Sequence, residues 1–543
     1  MDIKTTEAIR TQRIFYSPFK QYWIITFLSG ILMGLGAEPW GVWLLPWVAF
    51  VPLWLTVIQQ RGKQRLLITS AIPWAVGYYG LSLFWITGIH PMTWMGVPWW
   101  PSLIIALFCW VFIIAWGIGL TVVWVWLFSK ITKVLKYKFQ RKDSSELGLI
   151  FSRVLIGTAL WCGLEWLWSQ TPLWWSSLAY TQSYGNLAIL HLGQISGPST
   201  ITAAIVAVNG LIAEGLIKNP VNHLRNSLRF YLIPIVLFIF LHGIGFFLYR
   251  QPLNDLPENA VKVGIIQGNI PNKIKLNSIG WQKAINGYTT GYQALVNQGV
   301  DVVITPETAL PFLWTEQTRR NSSFYQAILQ EKVLAFLGGF SQAGNRLTNS
   351  LLAINSEGKT ISQYDKVNLV PLGEYIPFES ILGKWINRLS PLDAHLIKGK
   401  QNQQFKTPFG QVIIGICYDS AFSRHFQKQA KNGGEWIVTA SNDAHYASAM
   451  LAQHHAQDVM RSIETNRWTV RATNTGYSAI VNPKGETIWI SQQDTYATYT
   501  DLIYRRTIQT LYVRWGDWLT PLLIILSGIT IAFNYWQPSG YTD

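Results

Sequence analysis

Charge is scarce in this chain. Of its 543 residues, 13% are Asp, Glu, Lys or Arg, about half the share in an ordinary soluble protein. With a mean hydropathy of +0.18, much of the surface must face something other than water. Cysteine is nearly absent, with three residues. Cys109 and Cys162 lie inside apolar runs, so Cys417 has no disulfide partner in the more polar part of the chain, and a disulfide-stapled fold is excluded. Metal-ligand spacing is missing too: His454 and His455 are adjacent and His445 is isolated, so no metal and no cofactor are expected. The net charge of +15 lacks the aromatic-plus-basic stripe that binds single strands, so no nucleic acid partner is expected. No small-residue cleavage site follows the first apolar segment, so no cleavable signal peptide is expected.

What is present is sharply partitioned. Residues 21–249 are almost continuously apolar, 250–516 have the composition of a soluble domain, and a further apolar run follows. The reading is a membrane domain over 1–249, a globular domain over 250–516, and a terminal helix with a short tail over 517–543. A spanning helix needs about 20 apolar residues, which gives eight candidates: 21–36, 41–58, 66–88, 100–129, 149–168, 199–217, 229–249 and 517–535. Glu38-Pro39 marks a tight reversal between the first two, where one span and a re-entrant segment is the other reading. The N-terminal tail and alternate loops hold the basic residues, among them Lys4, Arg61, Lys63, Lys130, Arg141, Lys142, Lys218 and Arg225. The intervening loops near 37–40, 88–99 and 169–198 hold no Lys or Arg. The positive-inside rule then puts both termini in the cytoplasm and 250–516 outside it. The 28 Trp fit aromatic belts at the bilayer surface. Glu165 and Glu214 are intramembrane acids: Glu214 is expected to reach water at a helix end, and Glu165 to face the bundle interior or serve function.

Within 250–516, strand-like runs lie at 261–270, 301–305, 333–340, 350–355, 411–417, 435–440 and 477–490. Helical patterns at 281–298, 321–332 and 450–466 separate several of them, which indicates a layered α/β domain. Reactive residues fall just after strand ends, where such folds place their chemistry. Glu307, in Thr305-Pro306-Glu307-Thr308-Ala309-Leu310-Pro311, suits a general base. Lys366, in the segment Tyr364-Asp365-Lys366 to Pro377, suits a fixed cation for an oxyanion. Cys417, in Gly415-Ile416-Cys417-Tyr418-Asp419, is either buried filler or a nucleophile on an elbow exposed above the sheet, with the Tyr418 N–H free for an oxyanion. Each segment alone is weakly specific; Glu, Lys and Cys in order at strand ends of one domain are far more so.

The ordered set, with P-E-T-A-L-P, Y-D-K-x-x-L-V-P-x-G-E-Y-I-P and G-I-C-Y-D, resembles the carbon–nitrogen hydrolase (nitrilase) superfamily. The flanking spans narrow the resemblance to the apolipoprotein N-acyltransferases of bacterial envelopes. Gln267-Gly268-Asn269-Ile270-Pro271, Ser441-Asn442-Asp443-Ala444 and Arg471-Ala472-Thr473-Asn474-Thr475-Gly476 match as well. Departures from the family pattern are Thr305 for Trp, Asp419 for Glu, and His445-Tyr446-Ala447 for Trp-Phe-Gly. The resemblance implies a nitrilase-like α-β-β-α sandwich between a seven-helix bundle and an eighth helix, in the inner membrane with a periplasmic catalytic domain. It implies acyl transfer from a membrane phospholipid through a Cys417 thioester to the α-amine of a diacylglyceryl-cysteine on an apolipoprotein. Glu307, Lys366 and Cys417 would be catalytic and Glu374, Tyr418, Asp419 and Asn442 supporting; Trp281 would line the site or merely pack. The alternatives are a membrane-anchored amidase using the same three residues on a small amide, and a non-enzymatic transport or assembly protein with a degenerate hydrolase domain.

Overall fold

The computed structural model describes residues 19–59, 64–140, 146–218, 224–375 and 396–536. Of the basic loop residues, Lys4, Arg10, Arg13, Arg61, Lys63, Arg141 and Lys142 lie outside these, as do Ile376 and Pro377 of the long motif. The apolar region forms helices α1 (Phe19–Gly34), α2 (Val51–Gln59), α3 (Gln64–Ser82), α4 (Trp99–Gln140), α5 (Glu146–Trp168), α6 (Pro198–Lys218) and α7 (Leu224–Tyr249). Among the described residues four of these, α4 to α7, are long and apolar enough to cross a membrane. Three expected boundaries shift. The 41–58 run is broken into a short helix Pro46–Ala49 and α2, each starting at or beside a proline, whose missing N–H favours the first turn. The 66–88 run ends as helix at Ser82 and continues as a 3-10 turn, and α4 continues past 129 to Gln140.

Two acids inside the bundle are fully satisfied. Glu165 accepts hydrogen bonds from Trp161 Nε1, Ser177 Oγ, Leu178 N and Thr202 Oγ1. Glu214 does not reach water as expected: it is 0% exposed and ion-paired to Arg153 at 3.0 Å. A buried charge is tolerated only when paired, and the partner comes from α5 on the neighbouring wall.

The globular part is two six-stranded mixed sheets. The strands are β1 (Ala260–Gln267), β2 (Val302–Ile304), β3 (Leu334–Ala343), β4 (Arg346–Ile354), β5 (Thr360–Asp365), β6 (Phe405–Thr407), β7 (Gly410–Ile416), β8 (Trp436–Ser441), β9 (Thr469–Thr473), β10 (Ala479–Val481), β11 (Thr487–Ile490) and β12 (Ala497–Tyr504). One sheet runs β12-β1-β2-β3-β4-β5 and the other β6-β7-β8-β9-β10-β11. Both follow the same sequence of pairings: antiparallel, parallel, parallel, antiparallel, antiparallel. Alternate residues divide between two cores, as a period of two requires. Val263, Ile304 and Phe336 of the first sheet meet Ile414, Val438 and Val470 of the second, with Phe336 stacked on Trp436 at 5.9 Å.

The outer face of the first sheet packs on helices α8 (Ser278–Val296) and α9 (Ser323–Glu331) through Ile266, Val303 and Leu337. The outer face of the second packs on α10 (Ser423–Lys431) and α11 (Ser448–Thr465). Layers of helix, sheet, sheet and helix result, a nitrilase-like sandwich. The α11 layer has a second duty: Met450, Val459 and Ile463 belong to the same continuous core as Trp54, Trp74 and Trp161 of the bundle. Helix α12 (Leu519–Trp536) follows the sandwich and packs on α5.

Candidate active site

Glu307 stands three residues beyond β2, and the turn that carries it is locked to β3. Thr305 Oγ1 donates to Phe336 O and accepts from Gly338 N, both at 3.1 Å. A Cβ on Gly338 would lie 2.0 Å from Pro306 O, so only glycine lets β3 pass this close. Both carboxylate oxygens of Glu307 are engaged. Oε1 accepts from Asn349 Nδ2 at 2.6 Å and Lys366 Nζ at 3.0 Å, and Oε2 accepts from Asn442 N at 2.7 Å. Lys366 follows β5 directly, is 1% exposed, and also donates to Glu374 Oε1 at 2.9 Å. Glu374 Oε2 in turn accepts from Val370 N. Burial pushes the Lys366 ammonium down, but Glu307 and then Glu374 overcome it and hold its pKa well above the usual lysine range. Burial raises the Glu374 carboxyl against the pull of Lys366.

Cys417 directly follows β7 with φ +49°, a left-handed conformation that costs a side-chain-bearing residue energy and recurs at functional turns. The elbow is real, but its expected exposure is not: Cys417 is 6% exposed. Its side chain packs into the core between the two sheets, while the next residue, Tyr418, belongs to the core of the membrane domain. Tyr418 OH donates to Pro172 O and Trp174 O at 2.9 and 2.7 Å, and its ring stacks on Trp175. Burial pushes the thiol well above its ordinary range; Glu307 adds to this and Lys366 opposes it. The resting thiol is therefore protonated. Passing its proton to Glu307 moves one negative charge from carboxylate to sulfur, beside Lys366, without adding any. The Tyr418 N–H lies in the first turn of the 3-10 helix Cys417–Ala421, where no intrahelical acceptor exists.

The other sequence-predicted residues divide clearly. Asp419 is 0% exposed and accepts from Ile416 N, Asn368 N and Tyr364 OH, so it ties the Lys366 segment to the Cys417 elbow. Asn442 gives its N–H to Glu307 and is held by Asn474 Nδ2, which also reaches Ile270 O. The three shorter motifs thus buttress one another. Trp281, 39% exposed, packs edge-on against Phe312 and stands apart from the hydrogen-bonded cluster. His445 and Tyr446 face the bundle, stacked near Trp94 and edge-on to Trp85, so that departure lies on the seam between domains. Among the described residues no group of three His, Cys, Asp or Glu side chains converges to hold a metal ion.

Three residues of the site escaped sequence reading. Asn349 on β4 binds both Glu307 and Glu374. Lys275 is 4% exposed, and its Nζ donates to Glu307 O at 3.3 Å. Burial pushes its pKa down to about 7 against the attraction of Glu307 and Cys417. The Asn272-Lys273-Ile274-Lys275 run after Pro271 was the available signal. His454 places one ring nitrogen 2.9 Å from Cys417 O and the other 3.2 Å from Asp443 Oδ1. Asp443 Oδ2 accepts from Arg471 at 2.9 Å, and Arg471 also binds Asp458. Burial works to raise the Asp443 carboxyl, yet His454 and Arg471 hold it down at about 2.

The comparisons with known proteins agree with this arrangement. A carbon–nitrogen hydrolase family profile matches residues 262–511, and the profile of the apolipoprotein N-acyltransferase N-terminal domain matches 29–211. An apolipoprotein N-acyltransferase of a Nostoc species is 52% identical across 93% of this chain and 98% of its own. That of a Synechocystis species is 48% identical across 92% and 98%, and that of Thermosynechococcus vestitus 38% across 92% and 95%. Identity at this level runs through both the helical bundle and the sandwich, and on that ground the chain belongs to the apolipoprotein N-acyltransferase family, the acyltransferases of lipoprotein maturation within the nitrilase superfamily.

Proposed function

We propose that Glu307, Lys366 and Cys417 carry a two-step acyl exchange. Glu307 accepts the thiol proton as Cys417 Sγ attacks the ester carbonyl of a membrane phospholipid. The charge that forms on the carbonyl oxygen is met by the Lys366 ammonium and the Tyr418 N–H. Collapse of the intermediate breaks the ester bond; Glu307 returns the proton to the leaving oxygen, and a lysophospholipid departs. The α-amine of a diacylglyceryl-cysteine at an apolipoprotein N-terminus then attacks the thioester. Glu307 takes the amine proton and passes it to the departing sulfur, leaving an amide and a free thiol. A buried thioester suits a wait between two lipid substrates, because water has little access to it.

The observation that carries this reading is Lys366 Nζ held between Glu307 and Glu374 at 3.0 and 2.9 Å. That geometry fixes a permanent cation beside a protonated thiol and its base. Asn349 and Asn442 orient the base, and Asp419 keeps the elbow in register with Lys366. No metal or cofactor enters the chemistry.

The same reading places the chain in a bacterial inner membrane. Its domains are 1–249, with seven spans, 250–516 on the periplasmic side, and 517–543, whose helix returns the C-terminus to the cytoplasm. The support is the alternation of basic loops with loops that hold no Lys or Arg and the seam between α11 and the bundle. Intact-mass measurement after exposure to phospholipid tests the chemistry. A fatty-acyl adduct on Cys417, discharged by a diacylated lipopeptide, is expected. Ammonia release from small amides with no lipid transfer would make the protein an amidase instead.

A further inference from the structure

A cleft that takes no part in this chemistry opens between the membrane helices and the sandwich. Its volume is about 550 Å³, within the range of small-ligand sites, and none of Glu307, Lys366, Glu374 or Cys417 lines it. One wall is α10, Ser-Arg-His-Phe-Gln-Lys-Gln-Ala-Lys, which has no acidic residue. Arg424, Lys428 and Lys431 fall at i, i+4 and i+7, hence on one helical face, and all three line the cleft. The hydrogen-bond partners of Arg424 and Lys428 are the neutral side chains of Gln170 and Gln401, at 3.2 and 3.4 Å. Partial burial and then the Arg424 charge push the Lys428 pKa down, as expected where like charges gather; among the described residues none of the three forms an ion pair.

The facing wall is made by the ends of α5, α6 and the turn before α12, with Trp166, Ser169, Ser199, Trp515 and Asp517. The two acids that line the cleft, Glu165 and Asp517, are held by hydrogen bonds from Ser177 and Thr202 and from Ser196, Ser199 and Thr520, and among the described residues neither forms an ion pair with the basic wall. Trp166 and Trp515 are 44% and 65% exposed. Exposed tryptophans beside apolar helix faces mark the depth of lipid headgroups. Leu167 beside Trp166 on α5 is exposed, and so are Leu522, Ile525 and Ile529 on α12, which at i, i+3 and i+7 form one apolar face leading away from the cleft.

We propose that this cleft seats the headgroup of an anionic phospholipid, bound as a structural ligand rather than as acyl donor. Its phosphate lies against Arg424, Lys428 and Lys431, and its acyl chains lie along α5 and α12. An acidic peptide would answer the charge but leave the apolar track bare, so the combination selects a lipid. Bound there, the lipid ties the sandwich to the bilayer. Each cation near an anionic lipid is worth roughly a factor of five at low salt, so loss of all three weakens binding by roughly a hundredfold.

The test uses the full chain in detergent with the Cys417→Ser substitution, so that no lipid is consumed. Native mass spectrometry with added phosphatidylglycerol reads the bound fraction. One tightly retained lipid is expected, released by raised salt, and bound roughly a hundredfold more weakly by the Arg424→Gln/Lys428→Gln/Lys431→Gln protein. Phosphatidylcholine is expected to bind far less well. The triple variant built on the Cys417 protein keeps its rate of thiol alkylation, which shows that the sandwich is intact. Four results would each overturn the proposal: equal lipid binding by the triple variant, equal binding of phosphatidylcholine, displacement of lipid by equimolar glycerol 3-phosphate, and displacement by an equimolar acidic peptide.

Discussion

Lys275 gives the sharpest test of the buried electrostatics, because removing it should stabilise the protein while harming its chemistry. Its pKa falls from 10.5 to about 7 in the folded chain. That shift of about 3.5 units corresponds to about 5 kcal/mol of penalty for keeping the ammonium buried. The sign follows from proton counting. Below pH 7 the lysine is charged in both folded and unfolded states and the penalty is complete. Between 7 and 10.5 the unfolded chain holds more protons, so stability climbs with pH; above that range both states are neutral and the penalty is gone. Lys275→Met keeps the length of the side chain and removes the charge. It also forfeits the hydrogen bond to Glu307 O, worth about 1 kcal/mol. A net gain of about 3–4 kcal/mol at pH 6 is expected, or about 6–15 °C in melting temperature for a domain of this size. Intrinsic tryptophan fluorescence in detergent at pH 6, 8 and 9.5 measures it, and the gap between variant and parent should shrink at each step. Acyl transfer should fall in the same variant, since the cation faces Glu307 and Cys417, a trade of stability for function familiar at active sites. A gap independent of pH, or a variant less stable at pH 6, would refute the argument.

Cys417→Ala and Cys417→Ser should each lower lipopeptide acylation by on the order of 10³-fold or more, whereas Cys162→Ala, whose sulfur is only 3.8 Å from Ser199 O, should retain it. Glu307→Gln should separate two readouts: transfer falls by about 10²–10⁴ with loss of the base, while alkylation of Cys417 quickens because a charge that raises the thiol pKa is gone. Asp443→Asn should destabilise the sandwich by about 3–5 kcal/mol, because it leaves Arg471 short of a buried counter-charge. With Asp443 held at about 2 rather than 3.8, the parent should also lose about 2 kcal/mol as pH falls from 4 to 2, a loss absent from the variant in chemical unfolding curves.

The strands most legible in the sequence are those buried on both faces, although the 477–490 run also caught the edge strand β11, which the structure separates from β10. Strands β2, β7 and β8 read as continuous apolar runs because parallel strands at the centre of a sheet have no polar side. Those missed lack that signature. β5 (TISQYD) and β12 (ATYTDLIY) sit at sheet edges with half-exposed faces, β6 has three residues, and β9 (TVRAT) carries Arg471, buried only because Asp443 and Asp458 neutralise it. The site divides the same way. Glu307 and Cys417 were visible because each follows a predicted strand within a distinctive motif, and Lys366 through its motif alone. Asn349, Lys275 and His454 were not, since their meaning lies in partners 42, 32 and 37 positions distant. The misjudged exposure of Cys417 and Glu214 has one kind of cause: each is buried by residues remote in sequence, the core between the two sheets for Cys417 and the Arg153 side chain for Glu214.

The bundle does more than hold a hydrolase at a surface. Gln453 and His454 are consecutive on α11 and point to different domains. Gln453 Oε1 accepts from Trp85 and Trp175 at 3.1 and 2.8 Å, and its Nε2 donates to Glu38 O and Ser82 O. His454 meets Cys417 O and Asp443. From the other side Tyr418, next to Cys417, is bound to the carbonyls of Pro172 and Trp174. The elbow is therefore clamped from two directions by elements whose far ends lie in the membrane domain. An amidase tethered to a membrane would need none of these contacts, because its substrate arrives from water and one helix suffices to hold it. An enzyme whose two substrates both arrive along the bilayer needs its nucleophile fixed relative to the helices that admit them. The contacts of Tyr418, Gln453 and His454 supply that fixed relation, and His445, Tyr446 and Ala447, which depart from the family pattern, lie on the same seam.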